Sequence, residues 1–220
     1  AAASAVAKKN LGNDITFEEA EKYFTGLMNE KARSLGCTES NFVNAHGYQD
    51  ENHYTTAYDM SLIAAAAMKY DAIKEAAKET VFSGNSAGKQ KYNVDGNTRD
   101  YTWYSHNELI TSGANYYEYA TGIKTGFTDQ AGDCVAASAT KDGENLVAII
   151  MNSEDPGRWQ DATNLFEWGF NNYDMVVYRQ EGIAATAELT GNNRLKGDTV
   201  ELSINEPMSQ YMTADEAASV

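Results

Sequence analysis

The stretch from Gly122 to Asp133, GIKTGFTDQAGD, sets one lysine between small residues, Gly122 ahead of it and Thr125 and Gly126 behind it. On a strand edge, a Lys-Thr-Gly triplet offers an ammonium, a hydroxyl and an open backbone side by side. That combination suits an anionic ligand, with Lys124 as a point charge, Thr125 as a hydrogen-bond donor and Gly126 leaving room for the ligand to lie along the strand. The triplet alone is equally what a lysine on an exposed turn looks like, so its surroundings must decide. Other strings carry residue types suited to nucleophilic chemistry. SGN at Ser83–Asn85 overlaps SAGK at Ser86–Lys89, and SATK at Ser138–Lys141 repeats the S-x-x-K spacing. GNSAGKQ hints at a phosphate-binding loop, but its glycine spacing is wrong and Gln90 stands where a Ser or Thr would ligate magnesium.

The elements that must position these residues follow from periodicity. Residues 2–9 form an Ala-rich helix candidate. Thr16 with Glu19 three residues on is a capping box, and Phe17, Ala20, Phe24, Leu27, Met28 and Leu35 mark one helical face that Gly36 ends. A second capped helix starts at Thr56, with Asp59 at the capping-box position and Met60, Ile63, Ala64, Ala67 and Met68 on its apolar side. The loop between them holds Asn44 and His46, read as residues that tie the loop down, and Thr55 and Thr56, read as caps.

After about residue 80 the pattern changes to short strands: RDYTWY, GIKTGFT, DCVAASAT and NLVAIIMN. Asp142–Gly143 between the last two is a hairpin signal. Ser83 and Ser86 then fall in a Gly-rich turn, and Ser138 falls on a strand with no base beside it. Tyr101, Trp103 and Tyr104 read as half-buried aromatics. RWQDATNLFEWGFNNY gives a third helix with Trp159, Ala162, Leu165, Phe166 and Phe170 on one face. Arg158 lies near the N-terminus of that helix, an unfavourable place for an unpaired cation. MVVYRQ, AATAELTG and DTVELSIN alternate like strands of a separate small module, and TADEAASV reads as a tail. Helices, an antiparallel sheet, a packing helix and further strands make the class α+β.

The net charge of −15, from 17 basic and 32 acidic residues, excludes nucleic acid as a main partner, since the basic residues are scattered. No apolar run is long enough to span a membrane, and the opening AAASAVAKKN lacks the basic start and apolar core of a signal peptide. Cys37 and Cys134 stand far apart without a C-x-x-C or His-rich neighbourhood, which argues against zinc. Two free thiols are the expectation, with one disulfide left open.

Three strings in order carry a resemblance. GIKTGFT with Ala131 and Gly132, the upstream NFVNAHGYQDENHYTTAYDMSLIA and the downstream GRWQDATNLFEWGF resemble the corresponding stretches of the low-molecular-mass penicillin-binding proteins, the serine-type D-Ala-D-Ala carboxypeptidases. The resemblance runs from residue 1 to about 180. It implies a β-lactamase/penicillin-binding-protein-like transpeptidase fold. Residues 1–175 would be the C-terminal portion of the catalytic domain, and 176–220 the start of a small C-terminal β domain.

Of the three boxes such enzymes use, S-x-x-K, S-x-N and KTG, only the third stands at its expected place. The chain is therefore expected to begin after the second, with nucleophile and general base outside it. The resemblance implies that Lys124 and Thr125 hold the substrate's carboxylate side, Arg158 adds positive charge, Gly126 admits the peptide as an extra strand and the Phe127 amide serves the oxyanion hole. It implies no cofactor or metal. The implied partners are a peptidoglycan stem peptide ending in D-Ala-D-Ala, β-lactams, and either an upstream segment or a second copy of the chain. The implied location is extracytoplasmic. Two further readings stay open, a non-catalytic piece or binding module of such a protein and a β-lactamase relative. The trailing strands argue against the latter.

Overall fold

Thr16 starts the first well-capped element of the computed structural model, which describes residues 2–85, 99–188 and 199–219. A short helix α1 (Ala2–Leu11) precedes it and runs two residues beyond its Ala-rich core. In α2 (Phe17–Ser34) the capping box closes in both directions: Glu19 N donates to Thr16 Oγ1 at 3.1 Å, and Thr16 N donates to Glu19 Oε2 at 2.7 Å. Gly36, at φ +95°, then supplies the left-handed residue that turns the chain off the helix.

Helix α3 (Ala57–Ala67) is capped by Thr56 Oγ1, which accepts from Asp59 N at 3.1 Å. Here the expected capping box is only half made. The Asp59 carboxylate turns away from its own helix and accepts from Glu39 N at 2.8 Å, Ser40 Oγ at 2.6 Å and Thr38 N at 3.4 Å. Fully buried, it pins the 37–40 turn to the start of α3. Helix α4 (Asp71–Lys78) has no side-chain cap at Tyr70 and no buried residue, and the apolar pattern gave no sign of it.

A two-stranded ribbon follows, β1 (Val81–Asn85) against β2 (Asp100–Tyr104). Ser83 thus lies on a strand opposite Thr102 and not in a turn. Its Gly84 and Asn85 neighbours are poor strand formers, and cross-strand contacts override them. Tyr101 stacks on Trp103, which also meets Phe82. Trp103 and Tyr104 are exposed, not half-buried.

The main sheet has the order β3-β4-β5, from β3 (Ala120–Thr128), β4 (Gly132–Lys141) and β5 (Glu144–Ser153). Asp142 (φ 51°) and Gly143 (φ 89°) both have positive φ, as a two-residue hairpin of the primed type requires. Burial alternates along the sheet. Val135, Ala137, Ala139, Ala148 and Ile150 form the buried side, while Cys134, Ala136, Val147 and Ile149 are half-buried on the other. Ser138 is buried on that second side.

Helix α5 (Gly157–Asn172) buries Trp159, Ala162 and Phe166 at helical spacing, and Phe166 stacks on Tyr117. Leu165, assigned to this stripe from its sequence position, is exposed, because the buried face is narrower than the apolar pattern.

The chain divides into two compact units, Ala1–Phe166 and Glu167–Val220, so the division falls inside α5. The second unit contains β6 (Asp174–Arg179), β7 (Gly182–Glu188), β8 (Thr199–Ile204), β9 (Met208–Met212) and α6 (Ala214–Ala217). These strands make two antiparallel pairs, β6 with β9 and β7 with β8. The expected tail is instead a short helix, held by a capping box between Thr213 and Glu216.

Gly122 decides how closely α4 can approach β3. Its φ is +143°, and a Cβ placed there would stand 2.7 Å from Ala77 Cβ of α4. Gly122→Ala should therefore lower stability by roughly 1–3 kcal/mol. Gly126→Ala, whose Cβ would meet nothing closer than Cys134 Cβ at 4.0 Å, should unfold at the wild-type urea midpoint.

The Asp59 hydrogen bonds, first among them that from Ser40, hold its carboxyl below the usual carboxylate range, against the opposing effect of burial. A lowered folded pKa contributes stability above the unfolded value of about 3.9 and loses it as pH falls through the folded one. The stability gap between wild type and Asp59→Asn should accordingly be widest near neutral pH. It should narrow on acidification below about pH 4.

Candidate active site

Among the described residues, strand β3 is the edge of its sheet and is bound to β4 on one side only. Lys124 and Gly126 are exposed along it, and Thr125 is half-buried. The pleat sends neighbouring side chains to opposite faces, so Lys124 and Thr125 do not point the same way, although they adjoin in sequence. Thr125 and Phe127 stand opposite Val135 and Asp133, on the face that carries α5. Gly122, Lys124, Gly126 and Thr128 share the other face, where Gly122 meets α4 and Thr128 Oγ1 donates to Gln49 Oε1 at 2.9 Å. The lysine's ammonium is hydrogen-bonded to the Thr125 carbonyl. A ligand lying along this edge would meet the ammonium from one face and the hydroxyl from the other.

Arg158 is not the unpaired cation at a helix start that its position suggested. Its Nη1 lies 2.6 Å from Asp133 Oδ1 and its Nη2 3.5 Å from Asp155 Oδ1. Its guanidinium lies over the Trp159 ring at 4.3 Å, and Trp159 Nε1 donates to Asp155 Oδ1 at 2.9 Å. Two carboxylates thus offset the unfavourable placement at the helix N-terminus. Arg158 Nε is buried and has no hydrogen-bond partner among the described residues.

Asp133 stands opposite Phe127, two positions from Thr125 and three from Lys124. Strand rise makes those separations about 7 and 10 Å. Arg158, through Asp133 of β4, therefore stands beside the same stretch of β3 that carries the Lys-Thr-Gly triplet. Asp133, the partner that fixes Arg158, closes the very string that drew attention to Lys124. Nothing in the sequence pointed to its role.

The alternative serines are bound to other hydroxyls. Ser138 Oγ lies 2.8 Å from Thr121 Oγ1, and Ser83 Oγ lies 3.2 Å from Thr102 Oγ1. Among the described residues, neither is hydrogen-bonded to a lysine or histidine that could activate it. Ser86 and Lys89 lie outside the described residues.

Asn44 and His46 tie down their loop. Asn44 Nδ2 donates to Tyr48 O at 2.8 Å, Gly47 N donates to Asn44 Oδ1 at 2.8 Å, and Tyr48 N donates to His46 Nδ1 at 3.1 Å. Thr55 Oγ1 shares a 2.7 Å hydrogen bond with Ser40 Oγ. Cys37 and Cys134 are both free thiols, and burial raises the pKa of Cys37.

An edge strand bearing Lys-Thr-Gly beside an α-helical lobe agrees with what the chain resembles at large. Residues 2–155 match the family model described as D-alanyl-D-alanine carboxypeptidase. The chain is 29% identical over 207 residues to D-alanyl-D-alanine carboxypeptidase DacF of Bacillus subtilis, covering 90% of this chain and 49% of that protein. It is 32% identical over 196 residues to DacA of Escherichia coli K12, covering 86% and 42%.

Among solved structures, the Streptomyces K15 DD-transpeptidase superposes with a TM-score of 0.66 at 31% identity, over 77% of this chain and 62% of that one. The carboxypeptidase DacD of Francisella tularensis, 20% identical, shares the fold with a TM-score of 0.68 over 97% of this chain and 59% of the other. The chain belongs to the D-alanyl-D-alanine carboxypeptidase family. It spans about half the length of the curated relatives it matches.

The Arg158 pair is mostly buried, with side-chain exposures of 13% and 18%. Replacing either Arg158 or Asp133 by Ala should cost roughly 2–3 kcal/mol, a little below the range for a fully buried pair. The double mutant should lose less than the sum of the two single losses in urea unfolding.

Proposed function

We propose that this chain supplies the substrate-binding edge of a serine-type D-Ala-D-Ala carboxypeptidase. The observation that carries the proposal is Lys-Thr-Gly on the edge of β3 that no described residue pairs with, in a chain of this family. An extended peptide adds to such an edge through main-chain hydrogen bonds, and Gly126 keeps the approach open. Lys124 and Thr125 serve the terminal carboxylate from the two faces of the strand. Arg158, held by Asp133, adds positive charge on the Thr125 face. The Phe127 amide serves as one donor to the oxyanion. The exposed Phe127 and Lys124 side chains frame the place where the reacting carbonyl would lie.

The nucleophilic serine and its lysine base come from outside these 220 residues. The serine oxygen attacks the carbonyl carbon of the D-Ala-D-Ala peptide bond and passes its proton to the lysine. The C–N bond then breaks, D-Ala leaves with the proton, and water hydrolyses the ester. β-Lactams acylate the same serine.

In this reading residues 1–175 are the C-terminal portion of the catalytic domain, and residues 176–220 begin a small β domain. The substrate is a stem peptide of the cell wall, which makes the working location extracytoplasmic. An upstream segment, or failing that a second copy of the chain, completes the site. Among the described residues no helix is long and apolar enough to cross a membrane.

The experiment is labelling with a fluorescent penicillin. The 220-residue chain alone should form no covalent adduct by intact mass. With a segment bearing the S-x-x-K and S-x-N boxes added, the label should appear on that segment. Lys124→Ala should then slow acylation by roughly 10²–10³-fold, the range found on removing one preorganised electrostatic group. Ser138→Ala should leave the rate unchanged. A stoichiometric adduct on the isolated chain would overturn the assignment.

A further inference from the structure

The basic residues are scattered along the sequence, but the fold gathers three of them. Lys69 lies just past the C-terminal end of α3, and Lys74 and Lys78 stand on α4 at the i, i+4 spacing that puts both on one side of the helix. All three line one cavity of about 610 Å³, between these helices and the end of the main sheet nearest the β4–β5 hairpin. Met68, Leu146 and Val147 give it apolar surface. Two hydrogen bonds fix the strands beneath it. Thr121 Oγ1 and Ser138 Oγ join β3 to β4 at 2.8 Å, and Thr140 Oγ1 donates to Asn145 Oδ1 at 2.8 Å between β4 and β5.

Among the described residues no carboxylate lines this cavity. Asp71, Glu75 and Glu144, on the same elements, all lie outside the lining. Asp71 does pair with Lys74 at 3.3 Å, but the contact is exposed and neutralises little. In a chain whose net charge is −15, the cavity is a local reversal of sign. Like charges at i, i+4 also oppose the helix that carries them. Helix α4 has neither a side-chain cap nor a buried residue to compensate, so an anion between Lys74 and Lys78 would relieve a repulsion the fold otherwise bears.

We propose that this cavity binds a phosphate monoester whose ester group is apolar. Such a group carries roughly −1.5 to −2 charges at neutral pH and three acceptor oxygens. That matches three ammonium groups better than the single charge of a carboxylate does, and lysine serves phosphate well as a point charge. Inorganic phosphate would leave most of the cavity unfilled, and Met68, Leu146 and Val147 favour methylene groups beside the charge. The lining shares no residue with the Lys124–Phe127 stretch, so the site is separate from the β3 edge.

The test is calorimetric titration of the 220-residue chain with hexyl phosphate, inorganic phosphate and heptanoate, near neutral pH and at low salt. Hexyl phosphate should bind roughly tenfold more tightly than inorganic phosphate, the effect of burying about two methylenes. It should bind roughly fivefold more tightly than heptanoate, whose charge is smaller. Lys69→Gln, Lys74→Gln and Lys78→Gln should each weaken hexyl phosphate roughly two- to fivefold, and the triple variant about 10- to 100-fold. Lys8→Gln, Lys9→Gln and Lys22→Gln combined change the net charge equally from α1 and α2 and should leave the affinity at its wild-type value. Without ligand, the urea midpoints of the single variants should stay close to wild type, which separates loss of the site from loss of the fold. No binding of hexyl phosphate, equal binding of heptanoate, or an equal loss in the Lys8, Lys9 and Lys22 variant would each overturn the proposal. Inorganic phosphate binding as tightly as hexyl phosphate would overturn the apolar part of it.

Discussion

The contact between Gly122 and Ala77 fixes where the helical lobe can sit relative to the edge strand. Because Gly122 has no Cβ and takes a φ open to glycine, α4 comes within van der Waals distance of the β3 backbone just before Lys124. The other end of the strand is held from the same side by the Thr128 to Gln49 hydrogen bond, and from the opposite side by Arg158 through Asp133. Lys124 to Phe127 lie between these anchors. The strand's free edge is exposed because nothing pairs with it among the described residues, yet its position is fixed at both ends. That joins two properties a peptide-binding edge needs, open backbone groups and little freedom to lose on binding.

The two faces of the sheet are not equally finished. On the α5 side, burial is nearly complete at Val135, Ala137, Ala139, Ala148 and Ile150, and Trp159, Ala162 and Phe166 supply the opposing stripe. On the other side Cys134, Ala136, Val147 and Ile149 are only half-buried, and helices α2 and α3 carry an open apolar groove through Phe24, Leu27, Met28 and Ile63. Polar pinning takes a larger share of the order on this side. Asp59 gathers the 37–40 turn onto α3, Asn29 holds Phe42 through both its backbone groups, and Asn44 closes the 44–48 turn. Such groups fix loop geometry without burying much surface. They suit a face that has to present a loop toward a ligand.

Legibility in the sequence follows the range of the interaction involved. Thr16 with Glu19, the Asp142–Gly143 turn and the Trp159–Ala162–Phe166 spacing depend on residues a few positions apart, and all three took the expected form. The three strands of the main sheet were readable for the same reason. Helix α4 was not, because it is a single short element with no cap and no buried residue, and its place is set by Gly122 more than forty residues later. Strand β1 was read as a turn because Gly84 and Asn85 disfavour strands, whereas its partner Asp100–Tyr104 lies beyond a long connection. Asp59 looked like half of a capping box. Its second hydrogen-bonding set comes from residues 38–40, which no local pattern could announce.

The same distinction governs the site. Lys124, Thr125 and Gly126 could be picked out by residue type and spacing, since all three lie on one strand. Their arrangement could not, because whether two neighbouring side chains cooperate depends on which face each occupies. The pleat divides them, with the ammonium facing the helical lobe and the hydroxyl facing α5. That division changes how Arg158 is understood. As a lone residue at a helix start it was an electrostatic oddity. As the partner of Asp133, which stands opposite Phe127, it lies on the Thr125 face and leaves Lys124 the one cation of the triplet on the lobe side. In the proposed reading, a peptide on this edge would be met by charge from both faces at its carboxylate end. The exposed aromatic side chains Phe127, Tyr48 and Tyr54 stand apart from this charged stretch, so in the same reading polarity along the strand would give a bound peptide its direction as well as its place.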